Sequence, residues 1–291
     1  MQILLLGANG QVGWELQRSL APLGSLHAAD RTGADLEQPD QLRALVAQVQ
    51  PDVIVNAAAH TAVDRAESEP ERAHAVNAEA PGLLAQLAAE RGAWLVHYST
   101  DYVFDGSGTR PRAEDDPTGP LSMYGRTKLT GEEAIRASGA RHLIFRTSWV
   151  YASRGSNFAR TMLRLGAERE LLRIIDDQIG APTGADLIAD VTAHAIRQAI
   201  TQGITGTFHL AAAGHTSWHG YAQFVFDATQ RLKPDLPLKV QTVEAIPTSA
   251  YPTPAQRPLN SRLDTNRLQS TFGLRLPHWH TGVLRMLYEI L

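Results

Sequence analysis

Tyr124 and Lys128 stand four residues apart in Ser122-Met123-Tyr124-Gly125-Arg126-Thr127-Lys128. On a helix that spacing puts both side chains on one face. A phenol titrates at ~10 and is a poor acid or base at neutral pH, but an ammonium one turn away favours the phenolate and lowers that value. Such a tyrosine can pass a proton to a carbonyl oxygen. Taken alone, the pair is equally a solvated couple on an exposed helix. Its setting separates the two readings. Upstream, Trp94 to Ser99 reads as a strand that runs into Thr100-Asp101. A hydroxyl at the carboxyl end of a strand lies where open α/β sheets bind their ligands, so Thr100 is placed to hydrogen-bond the same oxygen as Tyr124.

A second feature is Gly7-Ala8-Asn9-Gly10-Gln11-Val12-Gly13, a GxxGxxG turn between an apolar run, Gln2 to Leu6, and a helical pattern. That context separates a dinucleotide-binding turn from a chance cluster of glycines. Gly7 permits the tight turn, Gly10 lets the backbone approach a pyrophosphate, and Gly13 lets helix and strand pack closely. The helix start then offers unpaired N–H groups and a positive dipole end to the phosphates. Asp30 falls at the end of the second strand, where an acidic side chain reaches the adenosine ribose hydroxyls and favours NADH. Arg31 follows directly and suits the 2′-phosphate of NADPH. The two signals conflict, so use of both cofactors is expected. Asp35-Leu36 is assigned to the adenine side, with capping of the next helix as the alternative for Asp35. A nicotinamide completes the chemistry: it supplies hydride to the carbonyl carbon, its oxidised cation favours the Tyr124 phenolate, and Lys128 can hydrogen-bond its ribose.

Stepping outward from these groups, the elements that must hold them alternate. Strands are expected at Gln2 to Leu6, Leu26 to Ala29, Asp52 to Ala58, Trp94 to Ser99 and His142 to Thr147. Helices are expected at Gln11 to Leu23, Pro39 to Val49, Pro70 to Arg91 and Ser122 to Ser138. This pitch implies an α/β fold, a Rossmann-type doubly wound parallel sheet with helices on both faces. After about Val150 the pattern changes: helices at 157–169 and 187–202, a short strand near 207–210, and from Lys233 a Pro-dense, loop-rich stretch including Thr248 to Pro254. The cofactor domain is therefore expected over 1–150 plus about 184–214. A smaller C-terminal substrate-binding lobe is expected over about 151–183 and 215–291. Hydrophobic residues at 43% and charged residues at 20% suit a globular chain. A formal net charge of −3 gives no global attraction to nucleic acid or anionic membrane, so neither is expected as a partner. The absence of cysteine excludes disulfides, thiolate nucleophiles and Cys-based metal sites. The first apolar run is too short for a signal or a membrane span, and the protein is read as cytoplasmic.

At the glycine turn, Thr100, Tyr124 and Lys128 the chain resembles the extended short-chain dehydrogenase/reductase family. Within it, the resemblance is to the branch that reduces the C4 ketone of dTDP-4-dehydro-L-rhamnose. It runs through nearly the whole chain: Gly10 to Leu16, Asn56 to Asp64, Ser99 to Phe104, Tyr124 to Lys128, Arg146 to Tyr151, Asn157 to Met162, Asp177 to Thr183 and Arg257 to Leu263. It implies Thr100, Tyr124 and Lys128 as catalytic. It implies cofactor contact for Gly10, Gln11, Val12, Asp30, Asp35, Leu36, Ala59, His60, Thr61 and Tyr98. It implies contact with a dTDP-sugar for Thr100, Asp101, Trp149 and Asn157. A magnesium ion held by acidic side chains near the C-terminus joins dimers in some members. Here Glu289 stands near the final Leu291 and the acidic set is incomplete. Monomer and homodimer both remain open.

Other residues have plainer readings. Glu67, Glu69 and Glu71 read as a solvated first turn favoured by the helix dipole. His278 and His280 flank Trp279 without a third metal ligand nearby. Arg257 and Arg262 are candidates for the substrate diphosphate, since a guanidinium offers a fork of donors; surface solubility is the alternative. The dehydratases of this fold place Thr-Asp-Glu at the strand end, and here Tyr102 stands in place of the Glu that would deprotonate C5. The expected function is thus NAD(P)H-dependent 4-keto reduction. An epimerase, another nucleotide-sugar 4-ketoreductase and a non-catalytic nucleotide-binding relative stay as alternatives.

Overall fold

A computed structural model describes residues 1–291. The first half runs β1 (Gln2–Leu6), α1 (Gln11–Leu20), β2 (Ser25–Ala29), α2 (Pro39–Val49), β3 (Val53–Asn56), α3 (Val63–Ser68), α4 (Pro70–His74), a π turn (Ala75–Glu79), α5 (Ala80–Arg91), β4 (Trp94–Thr100), α6 (Met123–Ala137) and β5 (Arg141–Thr147). The second runs β6 (Val150–Tyr151), α7 (Phe158–Glu168), β7 (Leu171–Ile175), β8 (Ile179–Gly180), β9 (Thr183–Gly184), α8 (Ala185–Gln202), β10 (Gly206–His209), β11 (Thr216–Ser217), α9 (Trp218–Leu232), β12 (Thr242–Ile246), α10 (Asn266–Phe272) and α11 (Trp279–Ile290).

Six strands form one sheet in the order β10-β5-β4-β3-β1-β2, with every pairing parallel. The central strands are fully buried runs such as Ile3-Leu4-Leu5-Leu6 and Val53-Ile54-Val55, as a sheet covered on both faces requires. One face packs Leu16, Leu20, Ile188, Val191 and Ile196 of α1 and α8 against Ile3, Leu5, Val53 and Val55. The other packs Leu42, Val46, Leu84, Ala88 and Ile135 of α2, α5 and α6 against Leu4, Leu6, Ile54 and Leu95. The doubly wound α/β architecture is the one expected. Strand order reverses at β1, between β2 and β3, so a crevice opens beyond the carboxyl ends of β1 and β3. A third core gathers Tyr151, Met162, Leu172, Tyr221, Phe226, Trp279, Val283 and Leu287 from β6, α7, β7, α9 and α11.

Several local expectations change. The helix over 70–91 is not uniform: α4 and α5 are joined by a π turn that carries buried Asn77. The first helix stops at Leu20, where a 3₁₀ turn with Pro22 near its start takes over. β3 ends at Asn56, because its Oδ1 accepts from the Ala58 amide at 3.1 Å and turns the chain. The stretch after Lys233 is more regular than its prolines suggest. β12 pairs in parallel with β7, and α11 buries Trp279, Val283, Met286 and Leu287, one face of a 3.6-residue repeat.

Two close approaches set the layer spacing. A Cβ on Gly13 would lie on the Gly7 carbonyl oxygen, and one on Gly131 of α6 on the Asn77 carbonyl oxygen. The second contact seats α6 against the π turn. Gly131→Ala should therefore lower stability by about 1–3 kcal/mol, the scale of an overpacked core. Urea unfolding followed by circular dichroism measures this; an unchanged midpoint would show that α6 can shift without cost.

Candidate active site

The GxxGxxG turn closes beside the β3 loop. Gly7 has φ +81°, and a Cβ there would stand 2.7 Å from the Ala58 amide nitrogen, so glycine is required on both counts. Gly10 begins α1 with no capping side chain and no acidic residue in the first turn, which leaves that end open to an anion. A groove of about 630 Å³ starts here. Gly7, Gly10, Gln11, Val12, Asp30, Arg31, Asp35, Leu36, Ala59, His60, Thr61 and Tyr98 all line it. Gly13 does not; its place is the helix–strand contact.

Around the second strand end the charges are already paired. Asp30 accepts from Thr32 N at 2.9 Å, Thr32 Oγ1 at 2.6 Å and Asn9 Nδ2 at 2.8 Å, and these bonds, those from Thr32 first, hold its carboxyl below the ordinary value. Arg31 pairs with Glu37 at 2.6 Å and Asp35 at 3.4 Å, and Arg72 reaches the same Glu37 at 3.2 Å. Asp35 does not cap α2, whose first turn follows Gln38; its Oδ1 accepts from the Glu37 amide instead.

The far wall comes from β4 and α6. Ser122 caps α6 by accepting from Gly125 N at 3.2 Å, and Glu67 accepts from Met123 N at 2.8 Å. Glu67 is therefore not simply solvated. Nor is Glu69, which binds Arg65 at 2.6 Å and lies 3.5 Å from His60 Nε2; Glu71 is exposed. Tyr124, Lys128, Thr100, Asp101 and Tyr102 all line the groove. Tyr124 meets Tyr102 edge to face at 5.6 Å. Burial pushes the Tyr124 phenol up to about 12, against a partial offset from the Thr100 hydroxyl. Lys128 Nζ has other partners: it is held by the Tyr98 carbonyl at 2.6 Å and lies 3.0 Å from His97 Nε2. Burial brings Lys128 itself down to about 8, against the pull of the Glu132 carboxylate. Tyr98 turns its hydroxyl away toward Thr192 Oγ1 at 2.8 Å.

The mouth is aromatic. Trp149, with φ +48°, stacks on Trp218 at 3.6 Å and 11°, and Trp218 donates to Gln178 Oε1 at 3.1 Å. Three expected substrate contacts are not brought into the groove. Asn157 caps α7 and donates to Gln11 Oε1 at 3.2 Å and Ala152 O at 2.7 Å. Arg257 is clamped to Asp64 by bonds of 3.1 and 2.8 Å, so its fork already has a carboxylate. Arg262 donates to Asn260 Oδ1 at 3.0 Å. Sequence reasoning did not single out Trp218, His97, Asn56 or Asn77. Trp218 follows Ser217, its helix cap, and an indole in a first turn was the one available signal; the other three signal nothing until β3, β4 and the π turn are side by side.

A family model, the RmlD substrate binding domain, matches residues 1–291. The chain belongs to this family. It is 55% identical over 296 residues to a dTDP-4-dehydrorhamnose reductase of Escherichia coli strain K12, covering 100% of this chain and 98% of that one. A crystal structure of a dTDP-4-dehydrorhamnose reductase from Clostridium acetobutylicum superposes with TM-score 0.91 at 34% identity, covering 100% of this chain and 99% of that one. One from Bacillus anthracis, solved in complex with NADP, superposes with TM-score 0.89 at 33% identity, covering 99% of this chain and 98% of that one. The groove suits the same dinucleotide class, with an uncapped helix start at one end and the Tyr124 phenol at the other. No three His, Asp or Glu side chains converge, and Glu289 pairs with Arg285, which also holds Asp186 at 3.1 Å. No helix is long and apolar enough to cross a membrane.

Asp101 gives the site a pH signature. Burial pushes its carboxyl up from 3.8 to about 7, only partly offset by the Ser261 and Thr100 hydroxyls. The folded chain then keeps a proton that the unfolded chain has lost, so stability falls as pH rises from about 4 to about 7. Asp101→Asn has no such proton, and its stability relative to the native chain should climb across that window. Urea unfolding at a series of pH values reads the difference; a flat difference would place the Asp101 carboxyl in water.

Proposed function

We propose that this chain is an oxidoreductase that reduces the C4 ketone of dTDP-4-dehydro-L-rhamnose to dTDP-L-rhamnose with NADPH or NADH. The observation that carries the reading is the half-buried Tyr124 phenol beside Thr100, at the carboxyl end of β4, in a groove continuous with the open start of α1. The 55% identity to a dTDP-4-dehydrorhamnose reductase over the whole chain supports the sugar.

The chain's own groups divide the work. The backbone at Gly10, Gln11 and Val12 holds the pyrophosphate, and Asp30 with Arg31 meets the adenosine ribose. The reduced nicotinamide, once bound, supplies hydride to C4. Because burial keeps the Tyr124 phenol protonated throughout the neutral range, it acts as a proton donor to the oxygen developing at C4, and Thr100 hydrogen-bonds the same atom. Trp149 and Trp218 present flat apolar faces to the sugar nucleotide and exclude water. Tyr102 does not replace a C5 base: burial raises its phenol further, and the opposing pull of the Arg257 guanidinium does not offset it. Reduction without proton exchange at C5 follows.

Oxidation of NADPH, followed optically on addition of dTDP-4-dehydro-L-rhamnose, is the direct test. Tyr124→Phe should cut turnover by about 10²-fold or more and leave NADPH binding intact; near-normal turnover would remove Tyr124 as the acid. Arg31→Ala should weaken NADPH more than NADH, since only NADPH carries a phosphate that can displace Glu37 from the guanidinium. Equal weakening would show that Arg31 does not reach the 2′ position.

A further inference from the structure

The adenosine end of the groove holds more charge than a ribose needs. Two guanidinia, Arg31 from the turn after β2 and Arg72 from α4, converge on one atom, Glu37 Oε2. Arg31 Nη2 donates to it at 2.6 Å; Arg72 donates from Nε at 3.2 Å, and its Nη2 also lies 3.2 Å away. All three side chains line the groove, beside Asp35 and Leu36. Arg72 has one other carboxylate near it, Glu69 at 3.6 Å, and Glu69 is already bound by Arg65 at 2.6 Å.

Asp30, one residue before Arg31, is held by Thr32 and Asn9 and by no cation, so its carboxylate is left to meet the ribose hydroxyls. The two arginines suit a different group. A phosphate monoester carries close to two negative charges and three acceptor oxygens, where a carboxylate carries one charge and two oxygens. Guanidinia that meet at a single point can each bind a separate phosphate oxygen there. Glu37 holds that point weakly. Arg31 is 63% exposed, and Arg72 and Glu37 are half-buried, and ion pairs this open to water contribute little. The uncharged 2′-hydroxyl of NADH has no need to displace Glu37. The 2′-phosphate of NADPH must do so.

We propose that Arg31 and Arg72 together form the seat of the 2′-phosphate, and that Glu37, the carboxylate this phosphate must displace, sets the preference between NADPH and NADH. The inference rests on the dinucleotide part of the reductase reading and deepens it by naming what decides the coenzyme. It makes Arg72 a binding residue, although α4 lies beyond β3 and far from Arg31 in the chain. Asp35 is a positioning residue in the same seat. It meets Arg31 at Nε, 3.4 Å away, and so leaves the Nη2 edge turned to the point that Arg72 also reaches. The exchange needs no movement of the backbone. Glu37 follows Leu36 in a turn, and only its side chain has to swing out.

The test measures binding of each coenzyme alone, by quenching of tryptophan fluorescence. Glu37→Gln keeps the shape of the side chain and frees both guanidinia. NADPH should then bind about tenfold more tightly, the worth of one charge-assisted hydrogen bond, while NADH stays nearly unchanged. Arg72→Gln should weaken NADPH by about tenfold and again spare NADH. In the double variant most of the gain from Glu37→Gln should vanish. No gain for NADPH in Glu37→Gln, or an equal change for both coenzymes, would overturn Glu37 as the determinant. Equal weakening of both by Arg72→Gln would put Arg72 against the adenine and overturn the paired seat. ³¹P spectra of NADPH bound to the native chain give a check that needs no variant. The second ionisation of the 2′-phosphate should fall below its free value of about 6; an unmoved ionisation would count against the seat. Coenzyme binding without reduction of the dTDP-sugar would remove the reductase reading and leave these results standing. Failure to bind either coenzyme would remove the dinucleotide groove and the seat with it.

Discussion

The position of α6 depends on one buried ion pair. Arg146 of β5 donates to both oxygens of Glu132, at 2.9 and 2.7 Å, and neither side chain reaches solvent. Burial alone would raise the Glu132 carboxyl, but the bonds from Arg146 outweigh it and hold the group below its usual value. Removing one partner of such a pair leaves an uncompensated charge in the interior, which costs about 3–5 kcal/mol. The pair fixes the rotation of α6 about its axis, and with it the face that carries Tyr124 and Lys128. Arg146 also donates to the Glu114 carbonyl at 3.1 Å, so the connection between β4 and α6 is tied to the same point.

From that point the site is assembled by layers. β4 carries His97, Tyr98 and Thr100 in succession, and α6 lies across it so that Lys128 meets the first two and Tyr124 stands near the third. The β1 turn and the β3 loop close the other side. The third core, built on α7, α9 and α11, contributes Trp218 to the mouth. The groove therefore lies where the third core meets the end of the sheet.

What the amino-acid sequence made legible was local. The glycine turn, the buried strands, the Tyr124–Lys128 spacing and Thr100 at a strand end each depend on residues within about one turn or one strand, where periodicity and backbone geometry speak directly. Partnerships between distant segments were not legible. Arg257 could be seen as a cation but not as the partner of Asp64, 193 residues away. Lys128 could be placed one turn from Tyr124, yet its bonds go to β4 because its side chain turns to the sheet. The regular elements after Lys233 were hidden by prolines that fall between them. β12 is recognisable only beside β7, since a five-residue strand with three exposed positions carries little pattern of its own.

The wide turn at Ala75–Glu79 has a consequence in terms of heredity. Asn77 sits in it and uses its whole amide, accepting from His60 N at 2.9 Å while donating to His60 O at 3.0 Å and Thr127 Oγ1 at 3.2 Å. A π turn holds one residue more than an α-helix of the same span. Loss of a single codon here would restore an unbroken α-helix of the same span, with the turns on either side still in phase but the widened turn gone. Asn77 would leave both partners at once, and the loop beside the glycine turn would lose its tie to α6. Point substitution can tune this helix residue by residue, but the reading frame of its length is closed to change.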